Sequence, residues 1–181
     1  ILRLKQKTGF YNQYTQNTLQ INNRDGKFME TGFYSGVAAS DWSWGGLIFD
    51  ADNDGLSDIY VCNGILNDVT DQDFIDFFAN DVMQKMALTG EKEKFDEIVN
   101  RMPSKPIPNK FFHNKGNLKF ADEGNNWGFA KPSFSNGAAY GDLDNDGDLD
   151  LIVNNVNDKA FIYRNNIREQ QKEKNNYIAI Q

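Results

Sequence analysis

One cysteine, one histidine and four prolines in 181 residues remove several classes of chemistry before any motif is read. A lone cysteine excludes an internal disulfide framework, and Cys62, set in an apolar run, reads as a small buried hydrophobe rather than a reactive thiol. Nucleophilic catalysis of the Ser-His-Asp or Cys-His kind needs a histidine. The single candidate, His113, stands beside Phe112 in a strand-like segment and reads as a packed or surface residue. One histidine and one cysteine cannot build a zinc site either. Glycine-rich phosphate loops are missing, and the apolar runs extend only a few residues, too short to span a membrane as a helix. Basic residues are outnumbered, 19 against 26 acidic, and a net charge of −7 argues against nucleic acid as a partner.

What the chain does have is acid in two dense clusters. Asp50-Ala-Asp52-Asn-Asp54-Gly55-Leu-Ser-Asp58 and Asp142-Leu-Asp144-Asn-Asp146-Gly147-Asp148-Leu-Asp150 share the pattern DxDNDGxxD, and they hold nine of the 26 acidic residues. Carboxylates packed this closely repel one another unless a cation sits among them, and hard oxygen ligands at alternate positions suit calcium. An EF-hand opens in the same way but closes with a glutamate at loop position twelve. Here position twelve is Val61 or Val153, and position nine is an aspartate both times. Both loops run on into strand-forming segments, Ile59-Tyr60-Val61 and Leu151-Ile152-Val153, and follow the apolar runs Gly46–Phe49 and Ala138–Gly141. Each is therefore expected to join two strands of one sheet. The spacing predicts side-chain ligands at Asp50, Asp52, Asp54 and Asp58 with the carbonyl of Leu56, and at Asp142, Asp144, Asp146 and Asp150 with the carbonyl of Asp148. Two calcium ions are thus expected, with Asn53 and Asn145 pointing outward.

The repetition extends beyond the loops. Leu19 to Phe28 precedes the first and Phe111 to Phe120 the second, each reading as strand, polar turn and a strand opening on Lys-Phe; a third copy starts at Phe161-Ile-Tyr163-Arg-Asn165-Asn166. The first aspartates of the loops stand 92 residues apart, against about 40 to 50 for one blade of a β-propeller. Leaving out the 41 residues 68–108 brings the spacing to 51. In that stretch Phe74, Phe78, Val82 and Met86 recur four apart, with Ile75 and Phe77 beside them, which predicts an amphipathic helix. Thr70 with Asp73 resembles a capping box and Gly90 a stop. Phe95, Ile98, Val99 and Met102 predict a second helix ahead of Pro103, Pro106 and Pro108. The expectation is a helical hairpin inserted between two blades, its apolar stripe either packed on them or serving as a partner-docking surface.

On these residues the chain resembles the FG-GAP or VCBS repeats of integrin-α-like β-propellers, over about residues 16 to 166. Ser43 to Asp50, Val61-Cys62-Asn63-Gly64 and Asp68-Val69-Thr70-Asp71 more narrowly resemble bacterial VCBS-repeat proteins related to cartilage acidic protein, where a C-terminal ASPIC/UnbV domain follows the propeller; Asn176 to Gln181 resembles its opening strand. The expected fold is mainly β: an incomplete propeller of two blades plus part of a third, with the helical insertion. Its expected divisions are 1–15, the end of a preceding segment; 16–67, a blade with the first loop; 68–108, the insertion; 109–160, a blade with the second loop; 161–166, the start of the next blade; and 167–181, a linker and first strand of a following domain. With no initiator methionine and a strand-like start at Ile1, the sequence is expected to be part of a longer protein.

Two functional classes follow. The first is a calcium-stabilised, non-catalytic scaffold of a secreted or cell-surface protein, associated with a bacterial outer membrane, that meets a protein or glycan partner. The second is the propeller portion of a polysaccharide-degrading enzyme whose active site lies in other blades. The aspartates most available for glycoside hydrolysis are those committed to calcium, which favours the scaffold. Trp42, Trp44 and Trp127 precede the loop hairpins and are candidates for stacking on a ligand, or else for packing between blades.

Overall fold

Apolar runs on either side of each acidic loop pair with one another, so each loop becomes the connection of an antiparallel strand pair. In the computed structural model, which describes residues 7–9, 15–90 and 99–170, the chain opens with a small hairpin, β1 (Gln20–Asn22) and β2 (Phe28–Glu30), and one helical turn, α1 (Gly32–Ser35). Next come β3 (Ser43–Phe49) and β4 (Asp58–Asn63), joined by the first loop with Phe49 opposite Asp58. A helix, α2 (Gln72–Thr89), and a two-residue strand, β5 (Ile107–Pro108), lead to β6 (Lys110–Asn114) and β7 (Phe120–Asp122). Then β8 (Pro132–Ser133) pairs back on β5, and β9 (Ser135–Gly141) and β10 (Asp150–Asn155) flank the second loop with Gly141 opposite Asp150. The described chain ends with β11 (Phe161–Tyr163) and a short turn, α3 (Ile167–Gln170).

Hydrogen bonding groups these strands into a four-stranded sheet of order β3-β4-β6-β7, a three-stranded sheet β11-β10-β9, and the two small pairs. The molecule is thus mainly β, built of several antiparallel sheets. The insertion does not fall between two sheets as the repeat spacing suggested. Because β4 pairs directly with β6, it leaves and re-enters one sheet, between its second and third strands. Sequence repeats and sheets are out of phase: the strands around the first loop are completed by the two strands that open the next repeat.

Side chains on a strand point alternately to opposite faces. In β4 all six residues are buried, so the sheet is covered on both faces along this strand, while β3 leaves Trp44 and Ile48 exposed. Tyr60 and Cys62 face the three-stranded sheet, packing with Phe49, Phe111, Phe129, Leu151, Val153 and Phe161. Ile59 and Val61 face the other way, with Phe112 and Val37 and the flanking Leu19 and Phe120. Cys62 is fully buried, as its apolar setting implied, and burial pushes its thiol up to about 11.

Helix α2 is largely exposed: Phe77 is 78% exposed and Leu88 86%. Phe74 and Phe78 stack on each other at 5.1 Å, and Arg101 lies 5.9 Å from the Phe78 ring. Of the expected stripe, Phe74, Phe78 and Val82 are half-buried, and Ile75, Phe77 and Met86 are exposed. The N-cap is Asp71, whose Oδ1 accepts from Phe74 N at 2.7 Å, while Thr70 bonds back to Asp68; the box read at Thr70 and Asp73 lies one residue early. Gly90 ends the helix in the left-handed region, as expected. Asp68 N donates to Pro103 O at 2.9 Å and closes the neck of the insertion. Most of the second helix, like the strands read at Ile1 and Asn176, lies outside the described residues. No described helix is long and apolar enough to cross a membrane.

At the strand ends away from the loops, buried polar groups join the two sheets. Asn109 Oδ1 accepts from Asn63 N at 2.8 Å, Asn109 Nδ2 donates to Ser135 Oγ at 2.9 Å, and Ser135 Oγ donates to Asn155 Oδ1 at 2.7 Å. Ser133 and Ser135 share a further bond of 2.7 Å. Replacing one member strands its buried partners, at about 1–3 kcal/mol for each group left unsatisfied. Ser135→Ala should therefore lower the urea midpoint well beyond the effect of losing one hydroxyl; an unchanged midpoint would show that the network contributes nothing.

Candidate metal centre

The two loops repeat one hydrogen-bond scheme. Asp50 accepts from Asp54 N at 3.1 Å and Gly55 N at 2.9 Å, and Asp142 accepts from Asp146 N at 3.2 Å and Gly147 N at 3.1 Å. Asp54 Oδ1 accepts from Leu56 N, as Asp146 Oδ1 does from Asp148 N. The position-nine aspartates are buried, and each satisfies two backbone donors. Asp58 takes Ala51 N at 3.1 Å and Asn114 N at 2.8 Å; Asp150 takes Leu143 N at 3.0 Å and Asn165 N at 2.8 Å. Each turn needs two left-handed residues. Asn53 (φ 57°) and Asn145 (φ 61°) supply one, and Gly55 (φ 87°) and Gly147 (φ 91°) the other, residue types for which this conformation is least costly.

This folding brings some of the predicted ligands together, with Asp150 outside the grouping at the second loop. Oxygens of Asp50, Asp52 and Asp58 lie within 4.8 Å of one another, and so do those of Asp142, Asp144 and Asp146. Asp54 joins Asp52 in a second grouping of the first loop, with His113. Leu56 is exposed at the rim. An all-oxygen carboxylate donor set of this kind suits a hard cation such as calcium better than a soft metal. Electrostatics agree with the geometry. Burial, with Asp54 and Asp50 adding repulsion, raises the Asp52 carboxyl above its ordinary range, and burial pushes Asp58 up to about 6 despite its two N–H donors. A cation bound among them would oppose both the burial and the mutual repulsion.

Three features were not visible in the sequence. His113 is no bystander: its Nε2 lies 3.3 Å from Asp52 Oδ2. Its Nδ1 lies 2.8 Å from Lys115 Nζ and 3.2 Å from Glu123 Oε2, so the ring stands between the loop and a Lys115–Glu123 pair. Lys115 also binds Glu123 at 2.6 Å and holds its carboxyl down to about 2. Secondly, Asn53 does not point outward; its Nδ2 donates to Asp148 Oδ1 at 2.8 Å, from one loop to the other. Asn165 Nδ2 adds a bond to Ala51 O at 2.7 Å, so the loops are neighbours although 92 residues separate their first aspartates. Asn145 remains exposed, as expected. Thirdly, the Arg164 guanidinium touches Asp144 at 2.6 Å and Asp146 at 3.3 Å and holds the Asp144 carboxyl below the usual range.

The tryptophans do not form one surface. Trp42 and Trp44 pair at 6.4 Å, with Trp44 Nε1 donating to Gly64 O. Trp127 sits apart, 4.5 Å from Phe111 and 5.5 Å from His113, its Nε1 on Glu123. It lines a cavity of about 420 Å³ between the sheets, together with Phe129, Leu149, Tyr163 and Asn165.

An antiparallel β-sheet protein with a recurring acidic hairpin loop is the class that fold and site define. Within it, residues 96–153 match the FG-GAP-like repeat, which supports a repeat protein of the FG-GAP/VCBS type. Repeats of this kind often bind calcium, and the second loop falls inside the matched stretch. No curated protein matches the chain.

The raised carboxyls set the sign of a pH effect in calcium-free protein. A folded-state value of about 6 for Asp58, against 3.8 for the free side chain, contributes stability that is present below 3.8 and lost as pH rises through 6. With chelator present, the melting temperature should therefore fall from pH 5 to pH 7. With calcium present the trend should reverse, since protons then compete with the ion. A chelated protein that grows more stable over this range would contradict the assignment.

Proposed function

We propose that this chain is a calcium-stabilised segment of a β-propeller, belonging to a larger secreted or cell-surface protein, and that it acts as a non-catalytic scaffold for binding a protein or glycan partner. In this reading the two larger sheets are neighbouring blades and the metal is structural. The observation that carries it is the repetition of one loop scheme on two adjacent sheets, with Asn53–Asp148 and Asn165–Ala51 fastening the loops together. A cation at either loop joins residues of one strand pair to the backbone of the next strand, through Asp58 and Asn114 or Asp150 and Asn165. It would thereby stiffen a sheet and its junction with the neighbouring one. The resemblance to outer-membrane-associated bacterial VCBS proteins supports the surface location, where calcium is at millimolar concentration and fills even weak sites.

The test is thermal unfolding with calcium and with EDTA. An ion that binds only the folded form stabilises it by about 2.7 kcal/mol at a hundredfold excess over its dissociation constant. Calcium should raise the melting temperature by several degrees, and Asp54→Ala and Asp146→Ala should each reduce that rise. Identical melting curves with and without the ion would end the calcium reading. Turnover of a glycan by the chain, lost on replacing a carboxylate outside the loops, would end the scaffold reading.

A further inference from the structure

Hydrogen bonds repeat outside the loops as well, and they mark a third place where an acidic loop belongs. The stretch Leu19 to Phe28 aligns without a gap on Phe111 to Phe120 and makes the same hairpin, with Asn22 opposite Phe28 as Asn114 is opposite Phe120. Asn22 Oδ1 accepts from Arg24 N at 2.8 Å, as Asn114 Oδ1 does from Gly116 N at 2.9 Å, and Arg24 (φ 63°) and Gly116 (φ 80°) are both left-handed. The likeness continues past the hairpin. Thr31 N donates to Leu19 O as Glu123 N does to Phe111 O, and Val37 N donates to Gly32 O as Phe129 N does to Gly124 O. Strand β1 is therefore the counterpart of β6.

In β6 that asparagine holds a loop in place. Asn114 N donates to Asp58 at 2.8 Å and its side-chain amide to Ser57 O at 2.8 Å, which seats the end of the first loop on the neighbouring strand. Asn165 does the same for the second loop through Asp150 and the carbonyl of Leu149, and its Oδ1 accepts from Ile167 N in the same two-residue turn. Asn114 and Asn165 are half-buried, whereas Asn22 is exposed, and among the described residues β1 pairs with β2 alone. We propose that the open edge of β1 receives the second strand of a further acidic-loop hairpin, and that Asn22 caps the last aspartate of its loop. The proposal rests on the reading of this chain as a segment of a larger repeat protein, which would supply that hairpin. Register identifies the occupant. Because Asn22 pairs with β2 as Asn114 pairs with β7, its N–H is directed away from β2, toward a strand added at that edge. At both loops the acceptor in that position is the carboxylate that opens the added strand, with the carbonyl before it taking the asparagine amide.

The probe is a peptide of residues 135–156, the chain's own β9, second loop and β10, added with calcium to the isotopically labelled full chain and followed by NMR. Saturable binding is expected, with the Asn22 amide proton moving downfield toward the positions of Asn114 and Asn165. Asp150→Asn in the peptide should weaken binding about tenfold, the worth of one hydrogen bond to a charged group, and remove that shift. Asn22→Ala in the chain, an exposed substitution that keeps the fold, should weaken the unaltered peptide by a similar factor and leave Asp150→Asn little further effect. The same hairpin joined to the chain by a flexible linker raises its local concentration to about millimolar, so that weak pairing is also seen. No Asn22 shift in either form, or binding indifferent to both substitutions, would overturn the proposal. Self-association of the chain that Asn22→Ala abolishes would overturn it too, making a second copy the occupant. Melting of the chain with calcium and with EDTA tests the underlying reading without involving Asn22, so the two failures are told apart.

Discussion

A buried carboxylate that ties three strands together is the constraint on which the rest of this structure depends. Asp58 ends the first loop, begins β4, bonds back to Ala51 at the head of the loop, and bonds across to Asn114 at the end of β6. Asp150 does the same for Ala51's counterpart Leu143 and for Asn165 after β11. One side chain thus fixes the loop's closure, the register of its hairpin and the position of the strand beyond. The arrangement costs desolvation of an anion, visible in the raised Asp58 carboxyl. A cation in the loop would offset that cost, which is why folding and metal binding are one problem here.

The loops and the strands on either side were legible because they obey local rules: aspartates at alternate positions, a glycine at the turn, apolar runs of strand length. Helix α2 was legible from its four-residue period for the same reason. The phase of the sheets was not. Sequence repeats mark where a pattern recurs, whereas a sheet is defined by which strands bond, and β4 bonds to a strand 41 inserted residues away in the expected division. The cap of α2 was misplaced by one residue because Thr70 and Asp71 are both good capping residues, and only the bond to Phe74 decides between them.

His113, Arg164 and Asn53 were missed for a different reason. Each acts on a partner distant in sequence: 61 residues separate His113 from Asp52, and Asn53 lies 95 residues from Asp148. A signal was nevertheless present. Aligning the repeats on Asn114 and Asn165 puts His113 and Arg164 in register, and the only histidine falling at the place of an arginine one residue before a loop-capping asparagine is a pattern. Its meaning required the third strand to be placed beside the loop.

The same placement explains why the two sheets need fastening at both ends. Between them the core is rich in aromatic rings, from Tyr60 and Phe111 to Phe129 and Phe161, which resist separation but specify register weakly. Directional contacts supply what the rings lack. At one end they are the asparagine and serine bonds from Asn63 to Asn155; at the other they are Asn53–Asp148 and Asn165–Ala51, which join the loops themselves. An ion that orders either loop therefore acts on the junction of the sheets as well as on its own hairpin.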